Sequence, residues 1–428
     1  MSFTIATVRF GARRVLIAQP NDRQYGHLGL EIVMSLASAR DDGADVYFVR
    51  PHSSLGGGLF ELESPDVRVL RPAPVVRELF RTCISWRRLR ERVVGWCDEI
   101  GEHMGREFVR ESNRYVADPG VPQEIRERLR GVRGRLRTVL DHAALDKRQR
   151  PPYYRRRLLR EPVPVRLHSA ASEEAARQAG AHGIAPDAPL VCIHAREAGY
   201  KSGGEIHDTK PETGRDDCTR NARIETYLDA VDDLVQRGYT VIRLGDPSMT
   251  PLRHPGVVDL ATSPTRTNLL EVSCLLRSDF IVAGESAYVN LIYLTNTPVL
   301  LVNVTEPISA YPIRAPGLFL PKKVIDKRNG QRLTNLDQLS FDYHQRFRDL
   351  RKYEYVDNSP AEIRAATREM LDWLGGGWTE SPAQRSYHDA IVSAAAQLRG
   401  HSHYIRKWGL DQEFLGDGRI AQIALSMQ

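Results

Sequence analysis

The sequence has 428 residues, 41% of them hydrophobic and 27% charged, with a formal net charge of +6. That length allows two domains with full cores, and the composition is that of a soluble globular protein. Five cysteines without C-x-x-C spacing point to a reducing compartment and away from a zinc site or a disulfide framework. Met1-Ser2-Phe3-Thr4 leads into polar and basic residues without a secretory apolar run, so a cytoplasmic location is expected. The most apolar long stretch, Phe280 to Val304, carries Glu285, Asn290, Asn296 and Pro298 and makes a poor membrane span.

Charge is unevenly spread. Residues 81 to 160 hold 21 Lys or Arg against 11 Asp or Glu, an excess of ten, which leaves the remainder at −4. Such a block is either a solvated helical face or a contact for an anionic acceptor or a membrane surface. Its aromatics show no regular interleaving, so no nucleic-acid partner is expected.

In chain order, Arg14 to Ala18 reads as a strand, Tyr25 to Arg40 as a helix and Asp45 to Val49 as a second strand, together a βαβ unit. Gly26 and Gly29 allow close backbone approach or simply close the turn. His27 stands at a helix start, where the dipole favours an anion or a neutral imidazole. Residues 78 to 104 and 124 to 145 are charged and helix-periodic, a basic helical insertion. Pro151, Pro152, Pro162 and Pro164 mark a connection, and Ser172 to Gly180 forms a short helix.

Leu190 to Ile193 is an apolar run expected to be a buried parallel strand. It is followed by a polar segment, Lys201 to Asn221, too long for an ordinary connection. Helices at 223–236, 268–277 and 287–294 alternate with strands at 239–244, 257–260, 280–283 and 299–302, the pattern of a doubly wound parallel sheet. Residues 305 to 343 read as irregular. Pro360 to Leu374 is a helix with Ser359 as cap and Glu362 three residues on.

Three strand ends converge on one edge of that sheet: His194-Ala195-Arg196-Glu197, Arg243-Leu244-Gly245-Asp246 and Gly284-Glu285-Ser286. Ligands of open α/β sheets sit at such ends, and an arginine there offers a planar fork to phosphate oxygens. Ser286 is either an ordinary helix cap or, beside these arginines, part of a phosphate-binding helix start. Glu285 is a general base, a hydroxyl acceptor or a solvent-facing carboxylate. Asp246 either accepts sugar hydroxyls or initiates the turn at Pro247. His194 is a core histidine or a ligand. His207-Asp208 offers an acid–base pair, and Tyr200 with Lys201 either lines a donor pocket or belongs to a solvated loop. No metal-ligand spacing is present, and no D-x-D at a strand end.

The segments CIHAREAGYKSGGEIHDT, YTVIRLGDPSM, FIVAGESAYVN and NTPVLLVNVTEPI resemble, in this order, those of a family of bacterial glycosyltransferases. That family carries HVREGGY-, GGEIHD-, VIRLGDPSM- and G-x-x-S-G-like segments. The resemblance covers Leu190 to Pro321 closely, and Gly26-His27 and Tyr355 to Ile363 more loosely. It implies a GT-B fold, distantly similar to the fucosyltransferases whose strand-end His-x-Arg holds the donor diphosphate. Arg196 would then be a diphosphate ligand and Ser286 a phosphate-binding helix start. Three features depart from the family: Ala195 for Val, Ser286-Ala287 for Ser-Gly, and an insertion over Lys210 to Thr219.

The expected protein is therefore α/β, with two GT-B-like Rossmann domains facing a cleft and a basic helical insertion in the N-terminal half. Residues 1–165 form the acceptor domain, 166–375 the nucleotide-sugar domain, and 376–428 a helical tail packing back on the body. The expected activity is metal-independent sugar transfer from a nucleoside-diphosphate sugar, the co-substrate, to a surface glycan or secreted small molecule. His27, His207 and Glu285 are the catalytic candidates, and Gly26 and His27 the acceptor contacts. Donor contacts are His194, Arg196, Tyr200, Lys201, Arg243, Gly245, Asp246, Gly284, Ser286 and Ala287. Two alternatives remain: a nucleotide-sugar epimerase or hydrolase, and a non-catalytic nucleotide-sugar or polyanion binder.

Overall fold

The computed structural model describes residues 4–10, 13–20, 25–49, 56–71, 123–124, 127, 163–197, 217–308, 310–312, 314–398 and 417–426. The expected helices of the basic block fall almost wholly outside these residues. So do Tyr200, Lys201 and His207.

Near the N-terminus, β1 (Thr4–Phe10) runs antiparallel to β2 (Arg13–Gln19), and β2 runs parallel to β3 (Asp45–Phe48) across helix α1 (Tyr25–Asp41). The β2-α1-β3 unit matches the sequence expectation; β1 does not appear in it. A two-stranded pair, β4 (Leu62–Glu63) and β5 (Arg166–Leu167), joins the N-terminal segment to the chain that leads into α2 (Ser169–Ala181).

Next come β6 (Leu190–His194), α3 (Leu228–Gln236), β7 (Thr240–Arg243), β8 (Val257–Asp259), α4 (Asn268–Arg277), β9 (Phe280–Ala283), α5 (Ala287–Thr295), β10 (Val299–Val304) and β11 (Gly317–Pro321). With β15 (Arg419–Ile420) they form a seven-stranded sheet in the order β15-β11-β10-β9-β6-β7-β8, parallel at every pairing. Every residue of β6, β9, β10 and β11 is buried. That explains their unbroken apolar runs: a parallel strand covered on both faces has no solvent side on which to place polar residues.

Part of the segment expected to be irregular is instead ordered. It supplies β11 to the central sheet, and then β12 (Lys323–Asp326) and β13 (Gln331–Arg332). After α6 (Phe341–Arg346), β14 (Tyr353–Val356) completes a small antiparallel sheet, β13-β12-β14, with a core of Val324, Tyr343, Phe347 and Tyr353. Helix α7 (Pro360–Leu374) starts at the expected capping box of Ser359 and Glu362. Helix α8 (Pro382–Leu398) buries Tyr387, Ile391, Ala395 and Leu398, and α9 (Gln422–Leu425) follows β15.

One hydrophobic cluster runs from Leu16 through the central sheet to Ala424. Helix α1 packs on α5. The Gly58 N–H donates to Asn268 Oδ1 at 2.8 Å, and a Cβ on Gly58 would lie 2.6 Å from the Leu269 Cα. Only glycine permits so close an approach of that turn to α4. Among the described residues no helix is long and apolar enough to cross a membrane.

Candidate active site at the sheet's switch point

The sheet order β8-β7-β6-β9-β10-β11 is that of a doubly wound fold, stepping outward from β6 on one side and from β9 on the other. The crevice outside the carboxyl ends of the two strands where the order reverses is the ligand site of such sheets. Here the reversal falls between β6 and β9. His194 is in register with Ala283, and the Gly284 N–H donates to the His194 carbonyl at 3.0 Å. A Cβ on Gly284 would lie 4.0 Å from the Arg196 backbone nitrogen. Arg196 and Ser286 thus stand on adjacent strand ends.

Two further arginines meet Arg196 there. Arg196 Nη1 donates to the Asp217 carbonyl at 2.9 Å and to Asn221 Oδ1. Asp217 Oδ2 accepts from Arg220 Nη2 at 2.7 Å, and its Oδ1 accepts from Arg348 Nη1 at 3.3 Å. Arg348 reaches on to Glu285 Oε1 at 3.2 Å and Thr305 Oγ1 at 2.9 Å. Burial, with the Arg220 charge next, draws the Arg196 pKa down to about 10, so it remains a cation at neutral pH. Burial and then the Arg348 charge lower Arg220 as well. Among the described residues three guanidinium groups are held here against two carboxylates, a positive centre in a half-buried setting where charge is weakly screened.

Arg348 is positioned by the small sheet. Its φ of 63° is left-handed, unusual for a side-chain-bearing residue. Its N–H donates to the Tyr355 hydroxyl at 2.5 Å, and the Tyr343 hydroxyl donates to the Thr305 carbonyl at 2.5 Å, fastening the module to the end of β10. Asp217, Arg220 and Arg348 are absent from the sequence expectation. Asp217 and Arg220 close the long polar segment singled out there, whereas Arg348 lies outside every motif.

Several expected contacts take other roles. The Arg243 guanidinium is 0% exposed and committed to Glu197 at 2.6 Å, Asp259 at 3.1 Å and the Thr250 carbonyl at 2.6 Å, so it braces the strand ends from beneath instead of facing a ligand. The buried His194 ring lies 4.5 Å from the Tyr288 ring at a tilt of 45°, and its Nδ1–H donates to the Leu244 carbonyl at 2.9 Å. Burial takes its pKa to about 4, so it is a neutral core histidine. A Cβ on Gly245 would stand 2.3 Å from Met249 Sδ and 2.8 Å from the Ala261 Cβ, which makes this glycine a packing requirement. Asp246 Oδ1 accepts from the Ser248 N–H at 3.0 Å, the turn-initiating role.

Glu285 is buried, and both of its oxygens are engaged: Oε1 by Arg348, Oε2 by the Thr305 N–H at 3.0 Å and hydroxyl at 2.5 Å. This carboxylate orients Arg348 and is poorly placed to take a proton. Ser286 caps α5, its Oγ accepting from the Tyr288 N–H at 3.3 Å, and Ala287 is the first residue of that helix. Gly26 and His27 lie in the first turn of α1; the His27 side chain falls outside the described residues.

No family model matches this chain, and no curated protein does. Solved structures do. A bacterial iron-containing dodecameric glycosyltransferase, TibC from enterotoxigenic E. coli H10407, matches at 17% identity over 29% of this chain and 30% of its own, with a TM-score of 0.21. A glycosyl transferase of family 9 from Veillonella parvula DSM 2008 matches at 12% identity over 32% and 36%, with a TM-score of 0.23. The heptosyltransferase TibC in complex with ADP-D-beta-D-heptose matches at 14% identity over 46% and 47%, with a TM-score of 0.28. The matched part is less than half of each of these structures, and overlaps so slight leave the assignment to the site itself.

A surface cleft of about 580 Å³ lies between α7, α8 and α9. Two of its charged side chains serve the fold: Arg368 pairs with Asp233, and Glu369 accepts from Trp378, Gln384 and the Gln422 N–H. The arginine cluster, at the switch point, is the stronger candidate.

Proposed function

We propose that the chain is a metal-independent glycosyltransferase of GT-B-like organisation. Residues 166–375 hold a nucleoside-diphosphate sugar. Residues 1–165 hold the acceptor, a glycan or small molecule, and the basic block at 81–160 contacts it or an anionic membrane surface. The observation that carries this reading is the meeting of Arg196, Arg220 and Arg348 at the β6–β9 switch point. Sugar transfer needs little from the protein at the sugar carbon if the departing diphosphate is stabilised. Preorganised cations aimed at its oxygens provide that stabilisation without reorganisation during the reaction. Guanidinium forks suit the task because each presents paired donors to phosphate oxygens. The order of the central sheet and the resemblance of the 190–321 segments to bacterial glycosyltransferases support the same reading. The packing of α1, whose first turn carries Gly26 and His27, on α5 favours an acceptor approaching the donor helix.

The test is titration calorimetry of wild type and Arg196→Ala against a panel of nucleoside-diphosphate sugars. At least one is expected to bind wild type and to lose about 30-fold or more in the variant, the worth of one or two charge-assisted hydrogen bonds. Undiminished binding by a folded Arg196→Ala overturns the assignment.

A further inference from the structure

The arginine seat already contains an anion from the chain itself. Asp217 Oδ2 bridges to Arg220 at 2.7 Å and Oδ1 to Arg348 at 3.3 Å, while its carbonyl takes the Arg196 N–H at 2.9 Å. A carboxylate spanning two guanidinium groups presents them with two oxygens, as a phosphate would. The other carboxylate of the cluster differs: Glu285 is buried and fastened by Thr305, part of the frame. The Asp217 side chain keeps 27% exposure, and its carboxylate partners among the described residues are both arginines.

We propose that the Asp217 carboxylate is the resident anion of this seat and that the diphosphate of the donor displaces it, an inference that rests on the function proposed above. Charge balance names the substrate class. With Asp217 in place, three arginines face two carboxylates among the described residues. Once it rotates out, Glu285 is the one carboxylate left on these three arginines among the described residues, and this group of side chains then carries two net positive charges. That complements the two phosphate charges of a nucleoside-diphosphate sugar better than the single phosphodiester charge of a nucleoside-monophosphate sugar. Until a donor arrives, Asp217 keeps the guanidinium groups from repelling one another.

Calorimetry with inorganic pyrophosphate at fixed ionic strength tests this on wild type, Asp217→Asn and Asp217→Glu. Asp217→Asn removes the competing charge and is expected to bind about tenfold tighter than wild type, even though its melting temperature without ligand falls. Asp217→Glu keeps the charge and is expected to stay within about twofold of wild type, well under the 1.4 kcal/mol that a tenfold change represents. If wild type binds pyrophosphate and Asp217→Asn binds equally or more weakly, displacement is overturned while the arginine seat stands. A tenfold gain in Asp217→Glu also overturns it. If neither wild type nor Asp217→Asn binds, both the displacement and the seat are overturned.

Discussion

Arg348 Nη2 stands 3.2 Å from Glu285 Oε1, joining a side chain from the connection between α6 and β14 to the carboxyl end of β9. Glu285 thereby acts through Arg348, and Glu285→Gln should weaken the aim of that guanidinium without removing a proton acceptor. With the donor found by calorimetric screening, KM is expected to rise about tenfold, one lost charge-assisted contact. In the same variant kcat should change little, because removing a true general base costs about 10²–10⁴ in rate. Steady-state kinetics separates the two: a fall of that size in kcat would make Glu285 the base.

The left-handed backbone at Arg348 (φ 63°) gives a second comparison. Arg348→Ala and Arg348→Gly both delete the arm that reaches Glu285, Thr305 and Asp217, so both should lose donor affinity to the same extent. They should differ in stability. Glycine adopts this conformation freely, whereas a Cβ there costs about 1 kcal/mol. Urea denaturation should find Arg348→Gly the more stable by that amount; equal midpoints would contradict the backbone geometry.

His194 predicts a pH dependence. Its folded pKa of about 4 lies below the ordinary value of 6.5 because burial disfavours the charged ring. The unfolded chain therefore takes up the proton first as pH falls. The stabilisation from the neutral ring is complete above pH 6.5 and is lost progressively toward pH 4. Between pH 7 and pH 5 the loss should approach about 2 kcal/mol at 1.36 kcal/mol per pH unit. Urea titrations of wild type and His194→Gln at those two pH values should show the extra loss in wild type alone. Parallel losses would mean that the ring is solvated.

At Gly245 the expectation concerns packing. A new Cβ would collide with Met249 Sδ, which can move, and with the Ala261 Cβ, which cannot without its strand end. Gly245→Ala should cost about 1–3 kcal/mol, the usual penalty of overpacking. Pyrophosphate affinity should stay near that of wild type at a temperature where the variant is folded. A stable variant that no longer binds would return Gly245 to the ligand site.

The central strands are legible in the sequence because burial on both faces leaves an apolar run with no alternation, as in the LVCI of β6 and the FIVA of β9. Strand β11 is less so: Pro312, Pro316 and Pro321 surround GLFL and make it look like loop, although its place beside β10 leaves all five of its residues buried. Arg196 is legible as a strand-end arginine. Arg243 gives the same local signal and means something else, since Glu197 and Asp259 neutralise it inside the protein. Local sequence does not say which acids a fold will bring to which arginine. Arg348 shows the converse, reaching the site through a left-handed backbone and a neighbouring module that no spacing rule encodes.

The most direct measurement is a crystal structure of the chain with a bound nucleoside diphosphate. Expected are phosphate oxygens within hydrogen-bond reach of Arg196, Arg220 and Arg348 at the first turn of α5, with the Asp217 carboxylate turned away. A diphosphate bound elsewhere, with Asp217 still bridging Arg220 and Arg348, would contradict the assignment of the switch point as the donor site.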